Sequence, residues 1–219
     1  MFIPNLHYIS QGATAEEHIS NIRQACIAGV TLVQLRLKNM PEKELLKYAE
    51  QAREITHHFH AKLIINDHYK IAKAAKADGV HLGKNDTCTK IARAFLASWQ
   101  IVGGTANTLE DCHNLINKKV DYIGLGPFRF TKTKENISPI LGLKGYTEII
   151  TALQTNTPVI AIGGITLNDV PRLIKTGVYG IAASGEITQD FNSISLFHQI
   201  LNSASAVEPI GKNDLKIYL

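Results

Sequence analysis

Thr131-Lys132-Thr133-Lys134 places two hydroxyls and two ammonium groups just after Gly124-Leu125-Gly126-Pro127, an apolar run that ends in small residues. Hydroxyl donors and cations on such a loop are suited to holding a phosphate. Related groups stand where earlier apolar runs stop. Gln34, Arg36 and Lys38 alternate along one of them. A period of two directs all three to one face, and charge on an inward face is costly unless it lines a pocket. Arg supplies a fork of donors and Lys a point charge, a combination that fits pyrophosphate oxygens. The plainer alternative is a fraying strand whose charges reach solvent.

Asn66 and Asp67 end a second run, and Asp86 lies just beyond a third. Two carboxylates at neighbouring strand ends suit Mg²⁺, which takes a few carboxylates together with substrate phosphate and water. Either aspartate could instead cap the helix that follows it. The nearby basic groups favour a shared metal. His81, in Val80-His81-Leu82, is either a hydrogen-bonded core histidine or a participant in proton transfer. His57, His58 and His60 read as a solvated cluster. Thr105 follows Gly103-Gly104, where glycine lets backbone approach a ligand and the hydroxyl can bond phosphate; a simple turn over Thr105 to Thr108 is the alternative. Gly163-Gly164 and Ser184-Gly185 close the last two apolar runs.

These groups must be held by whatever the apolar runs form. Short β-branched runs are expected as strands at Leu6–Ile9, Thr31–Leu37, Lys62–Asn66, Gly79–Leu82, Ile101–Gly103, Tyr122–Gly126, Pro158–Ile162 and Gly180–Ala183. Helical periodicity is expected over Ala15–Ala28, Glu42–Phe59, Tyr69–Ala77, Thr89–Leu96, Leu109–Lys118, Gly145–Leu153, Leu167–Lys175 and Ser193–Leu201. Capping signals precede four of these: Thr14 with Glu17, Asn39 with Glu42, Thr108 with Asp111, and Thr166 with Asp169. Pro41 suits a first helical turn, and Gly29 and Gly177 suit helix stops. Strand then helix, about eight times over, predicts a single-domain α/β protein, a (β/α)8 TIM barrel. Polar groups after nearly every strand favour this over an open doubly wound sheet, which gathers its site at one crossover. No Gly-x-Gly-x-x-Gly follows the first strand, which weakens a dinucleotide-binding reading. In such barrels the loops after strands seven and eight commonly bind phosphate through backbone N–H groups. The barrel is expected over residues 1–203, with 204–219 as a C-terminal tail.

The bulk properties agree. A chain of 219 residues with 45% hydrophobic content can fill one barrel. A net charge of +4 without a basic run argues against nucleic acid, and cations around an anionic substrate account for the excess. Cys26, Cys88 and Cys112 lack metal-site spacing, and Cys26 reads as a core thiol. With no signal-peptide pattern and no apolar run of the ~20 residues a membrane span needs, a cytoplasmic protein without membrane partners is expected. A homo-oligomer is expected on general grounds.

The ordered set QLRLK (34–38), IND (65–67), DGVHLGKND (78–86), VGGTANT (102–108), GLGPFRFTKTK (124–134) and AIGGI (161–165) resembles the thiamine-phosphate synthase family over roughly residues 6 to 202. The resemblance implies a Mg²⁺-dependent transferase of thiamine biosynthesis. Such an enzyme joins a hydroxymethylpyrimidine diphosphate to a thiazole phosphate and releases pyrophosphate. It implies that Gln34, Arg36, Lys38, Asn66, Thr105 and Lys134 hold the pyrimidine diphosphate, with Arg36, Lys38, Thr105 and Lys134 at the chemistry. Asp67 and Asp86 would bind Mg²⁺, and Thr131, Lys132, Thr133, Gly164, Ser184 and Gly185 would hold the thiazole phosphate. The chain departs from the pattern in places: Thr105 stands where Ser is frequent, His68 replaces a frequent Arg, and Ser184-Gly185-Glu186-Ile187 replaces Val-Ser-Ala-Ile, moving the serine one place early. The thiazole tautomerases of the same superfamily tend to lack the paired aspartates and the full Gln-x-Arg-x-Lys set. Another sugar-phosphate barrel enzyme would leave the aspartate pair unexplained. A sensor would bind both ligands without turnover.

Overall fold

The computed structural model describes residues 2–130 and 139–205. Eight parallel strands close into a barrel in sequence order: β1 (Leu6–Ile9), β2 (Leu32–Leu35), β3 (Lys62–Asn66), β4 (Gly79–Leu82), β5 (Ile101–Ala106), β6 (Tyr122–Leu125), β7 (Val159–Ile162) and β8 (Gly180–Ala183). Closure comes from β8 pairing with β1, with Leu6 opposite Ile181 and Tyr8 opposite Ala183. The helices between them are α1 (Ala15–Ile27), α2 (Glu42–His58), α3 (Tyr69–Ala74), α4 (Thr89–Phe95), α5 (Leu109–Asn117), α6 (Gly142–Leu153), α7 (Val170–Ile174, after a 3-10 turn at Leu167–Asp169), α8 (Gly185–Gln189) and α9 (Ser193–Ser205).

Because strand side chains alternate in direction, one set fills the barrel and the other meets the helices. Ile9, Leu32, Ile64, Ile101, Tyr122, Ile160 and Ala182 form a buried cluster separate from the larger one that includes Val33, Ile65, Val80, Ile123 and Ile181. Three of the four expected caps form. Thr14 accepts from Glu17 N–H, and Thr108–Asp111 and Thr166–Asp169 form reciprocal capping boxes. The fourth does not: Pro41 occupies the N-cap of α2 without a side-chain bond, and Asn39 sits in the left-handed region at φ 57°. Gly29 and Gly177 end their helices at φ 95° and 94°. Cys26 is a buried thiol that burial pushes up to about 11.

Several element boundaries differ from the sequence-based expectation. β2 stops at Leu35 rather than Leu37, because the Arg36 N–H turns to the Ser10 hydroxyl (3.0 Å). β5 runs through Gly103-Gly104 to Ala106, so Thr105 lies within a strand and not after one. Those glycines make room for large neighbours. A Cβ on Gly103 would sit 2.2 Å from Tyr122 Cζ, and one on Gly104 2.5 Å from Leu115 Cδ2. α8 lies where the sequence predicts no helix, and α9 continues to Ser205, past the expected barrel boundary at 203. Residues 206–219 of the expected tail lie outside the described residues.

Tyr146 of α6 ties the ends of two site-bearing strands together. Its buried hydroxyl donates to the Leu125 carbonyl and accepts from Ile162 N–H (3.2 Å). Tyr146→Phe is expected to cost about 1–2 kcal/mol, since two buried backbone groups lose a partner; urea unfolding measures it.

Candidate functional site

At the C-terminal end of the strands lies a cavity of about 340 Å³. Its lining includes Arg36, Thr105, Gly164, Ser184 and Gly185, five of the residues expected from sequence. Ser10, Gln11, Asn107, Phe130, Thr166, Glu186 and Gln189 also line it. None of these seven is given a site role by the sequence, although Ser10-Gln11 directly follows β1, where the barrel pattern places functional groups. Thr131, Lys132, Thr133 and Lys134 lie outside the described residues.

The Gln34, Arg36, Lys38 row divides by depth. Gln34 is buried inside the barrel and donates from Nε2 to Asn66 Oδ1 (2.8 Å), joining the tops of β2 and β3. Arg36 reaches the cavity wall. Lys38 is exposed and does not line the cavity, yet its charge acts on Asp67.

Asp67 and Asp86 come together. Asp86 lies close enough to act electrostatically on the Asp67 carboxyl. Burial, then the adjacent Asp86, pushes the Asp67 carboxyl up to about 6, against the opposing charges of Lys38 and Arg36. Neither aspartate caps a helix: His68 and Cys88 hold the N-cap positions of α3 and α4. Asp67 follows β3 at φ 64°, its N–H bonded to the His81 carbonyl (2.8 Å). Asp86 accepts from Gly83 N–H (2.6 Å). Two like charges this close call for a shared proton or a cation. Among the described residues no cluster of three or more His, Cys, Asp or Glu could hold a metal. A pair is too few for a structural zinc site, whereas Mg²⁺ completes its shell with phosphate and water. The donor set therefore fits the harder ion.

Behind the cavity a buried line of polar groups ends at Thr105. Tyr122 OH meets His81 Nδ1 at 2.9 Å, and His81 Nε2 meets Thr105 Oγ1 at 2.9 Å. Burial pushes the Tyr122 phenol far up, so it keeps its proton. That proton is best satisfied by donation to His81 Nδ1. The neutral ring then carries its hydrogen on Nε2 and donates to Thr105, whose own hydroxyl hydrogen can point into the cavity. His81 is thus a hydrogen-bonded barrel residue one step behind the site. His7 packs edge-on to Tyr122 (5.2 Å), and burial lowers its pKa to about 4 despite its bond to the Pro4 carbonyl. The His57, His58 and His60 cluster is exposed, as expected. Among the described residues no helix is long and apolar enough to cross a membrane.

Comparison with known proteins places this geometry. Residues 6–187 match the family model for thiamine monophosphate synthase. The thiamine-phosphate synthase of Flavobacterium johnsoniae is 48% identical over 198 residues, covering 89% of this chain and 93% of that protein. The thiamine-phosphate synthase of Bacteroides thetaiotaomicron is 40% identical over 201 residues, covering 90% and 96%. Among solved structures, thiamine phosphate pyrophosphorylase from Pyrococcus furiosus superposes with a TM-score of 0.79 at 27% identity, covering 91% of this chain and 96% of that one. With the paired aspartates, the Arg36 wall and the glycine-rich loops after β7 and β8 in one barrel mouth, the chain belongs to the thiamine-phosphate synthase family of enzymes.

Proposed function

We propose that this barrel joins 4-amino-2-methyl-5-(diphosphomethyl)pyrimidine to 4-methyl-5-(2-phosphoethyl)thiazole, or its carboxylated form, giving thiamine phosphate and pyrophosphate. The observation that carries the reading is the close Asp67–Asp86 pair, with Arg36 and Lys38 acting on it, at a barrel mouth whose other side is the glycine-rich cavity wall. The mouth thus offers two places for anions, one built of cations and carboxylates and one of backbone.

Arg36 and Lys38 hold the diphosphate, with Lys134 as a third cation expected from the sequence. Thr105, its hydroxyl oriented from behind by His81, donates to an anionic oxygen or a ring nitrogen. Gln34 and Asn66 form the polar floor under the pyrimidine. The loops after β7 and β8 hold the thiazole phosphate, with Thr131, Lys132 and Thr133 as further phosphate-holding residues expected from the sequence. Asp67 and Asp86 hold Mg²⁺, which when bound neutralises charge on the leaving diphosphate. The methylene C–O bond breaks and its electron pair leaves with pyrophosphate. The electron-rich aminopyrimidine carries the resulting cation, and the thiazole nitrogen lone pair forms the new C–N bond. No protein nucleophile is needed. The fixed cations stabilise charge that grows on the leaving group, and the cavity aligns the two rings.

The test is an assay of the purified protein with both substrates and Mg²⁺, following thiamine phosphate and pyrophosphate together. Equimolar formation of both is expected. Binding of both substrates without turnover would mark a sensor, and thiazole isomerisation without coupling a tautomerase; either result overturns the proposal.

A further inference from the structure

We propose that Arg129 is a positioning residue for the thiazole phosphate: it holds the loop after β7 in the shape that presents backbone N–H groups to the cavity. The inference rests on the reading of that loop as the phosphate subsite.

Three consecutive carbonyls at the end of β7 are claimed by the segment after β6. Phe128 N–H donates to Ile162 O (2.9 Å) and Arg129 N–H to Gly163 O (3.1 Å). The Arg129 guanidinium then donates from Nη1 to Gly164 O (2.8 Å). In a trans peptide the C=O and the following N–H point in opposite directions. The N–H groups of Gly163, Gly164 and Ile165 therefore turn away from Arg129 and toward the β8 side of the loop. Ser184 and Gly185, after β8, line the same cavity. Among the described residues, the Gly164 and Ile165 N–H groups meet no acceptor.

The loop can take this shape only with glycine. Gly163 and Gly164 have φ of 100° and 67°, and a Cβ on Gly164 would lie 2.5 Å from Arg129 Cγ. The arginine stem thus lies directly on the glycine it fixes. Its guanidinium stacks 4.9 Å from the Phe128 ring centroid and makes a second bond, from Nη2 to Asp169 Oδ1 (2.7 Å). Asp169 in turn accepts from Thr166 N–H (2.8 Å) and Thr166 Oγ1 (2.7 Å), fixing the far end of the loop. From the β8 side, Glu186 accepts from Leu167 N–H (3.0 Å). Burial would raise the Asp169 carboxyl, but the bonds from Arg129 and Thr166 outweigh it and leave it below its usual range. Arg129 does not line the cavity, so it acts through the loop. A lysine could reach one of the two acceptors but not both.

The experiment measures KM for each substrate, and KM for the thiazole alcohol lacking the phosphate, in the wild type, Arg129→Ala, Arg129→Lys and Asp169→Asn. Arg129→Ala is expected to raise the thiazole-phosphate KM about tenfold, the size of one charge-assisted hydrogen bond. The KM for the pyrimidine diphosphate should stay within about twofold, and the preference for phosphate over alcohol should shrink. Arg129→Lys and Asp169→Asn should fall between Ala and wild type, which keeps the idea testable if Arg129→Ala folds poorly. An unchanged thiazole-phosphate KM, or equal rises for both substrates, overturns the role of Arg129 while a phosphate preference in the wild type leaves the subsite standing. A wild type that does not prefer the phosphate over the alcohol removes the subsite itself, and the inference with it.

Discussion

Asp67→Ala and Asp86→Ala are each expected to lower kcat/KM by at least about tenfold, or about 1.4 kcal/mol of barrier, and to raise the Mg²⁺ concentration needed for half-maximal activity. The expectation follows from a juxtaposition with no structural benefit of its own. Asp86 acts on the Asp67 carboxyl against its ionisation, neither aspartate caps a helix, and Asp67 is held in the left-handed region. A pair of this kind destabilises the chain unless a proton or a cation joins it. Full activity in both variants, with unchanged Mg²⁺ dependence, would remove the metal assignment.

The same pair sets a pH signature in protein stripped of divalent cations. Asp67 titrates at about 6 when folded and near 3.9 when unfolded, so between these values the folded state holds more protons. Stability is therefore present in full below about pH 4 and falls as pH rises through about 6. Asp67 is only partly buried, so solvent screening reduces the effect to about 1 kcal/mol, or about 2–4 °C in Tm. Asp67→Asn should abolish this fall. If the pair holds Mg²⁺ as proposed, the ion displaces the proton that Asp67 carries at lower pH, so its stabilising effect should grow from pH 5 to pH 7. A Tm gain from Mg²⁺ that is equal at both values would contradict a site built from this pair.

Much of this arrangement is legible in the sequence because the barrel is periodic. Once strands are placed at Lys62–Asn66 and Gly79–Leu82, their adjacency brings Asp67 and Asp86 to one rim, and alternation directs Gln34 and Arg36 inward and upward. What escaped depends on partners far away in the chain. Gly103-Gly104 looks like a strand end until Tyr122 and Leu115 are seen to fill the space beside it. Asn39 loses its capping role because Pro41 takes the N-cap. The five residues of α8 are too few to show a period. The line from Tyr122 through His81 to Thr105 spans three strands, and local spacing does not reveal it. Lys38 shows the limit of alternation past a strand end: β2 stops at Leu35, and three residues later the side chain lies at the exposed rim.

Arg36→Ala is expected to reduce kcat by about 10²–10³, the loss seen when one positioned donor to a developing oxyanion is removed. Its backbone is fixed before any substrate arrives: the Arg36 N–H donates to Ser10 Oγ (3.0 Å), and that hydroxyl also meets His18 Nδ1 (2.8 Å). With the backbone so anchored, the Arg36 side chain on the cavity wall starts from a fixed point, which limits the reorganisation needed to stabilise charge. Because the charge on the leaving diphosphate grows as the C–O bond breaks, the loss should fall on kcat more than on the KM for the pyrimidine diphosphate. Arg36→Lys keeps the charge and loses the fork, so it should recover part of the rate, about tenfold over the alanine variant. The KM for the thiazole phosphate should change little in either variant, since in the proposed function the loops after β7 and β8, rather than Arg36, hold that phosphate. Steady-state kinetics with each substrate varied in turn reads all three quantities. A kcat unchanged in Arg36→Ala would place the departure of pyrophosphate elsewhere in the barrel mouth.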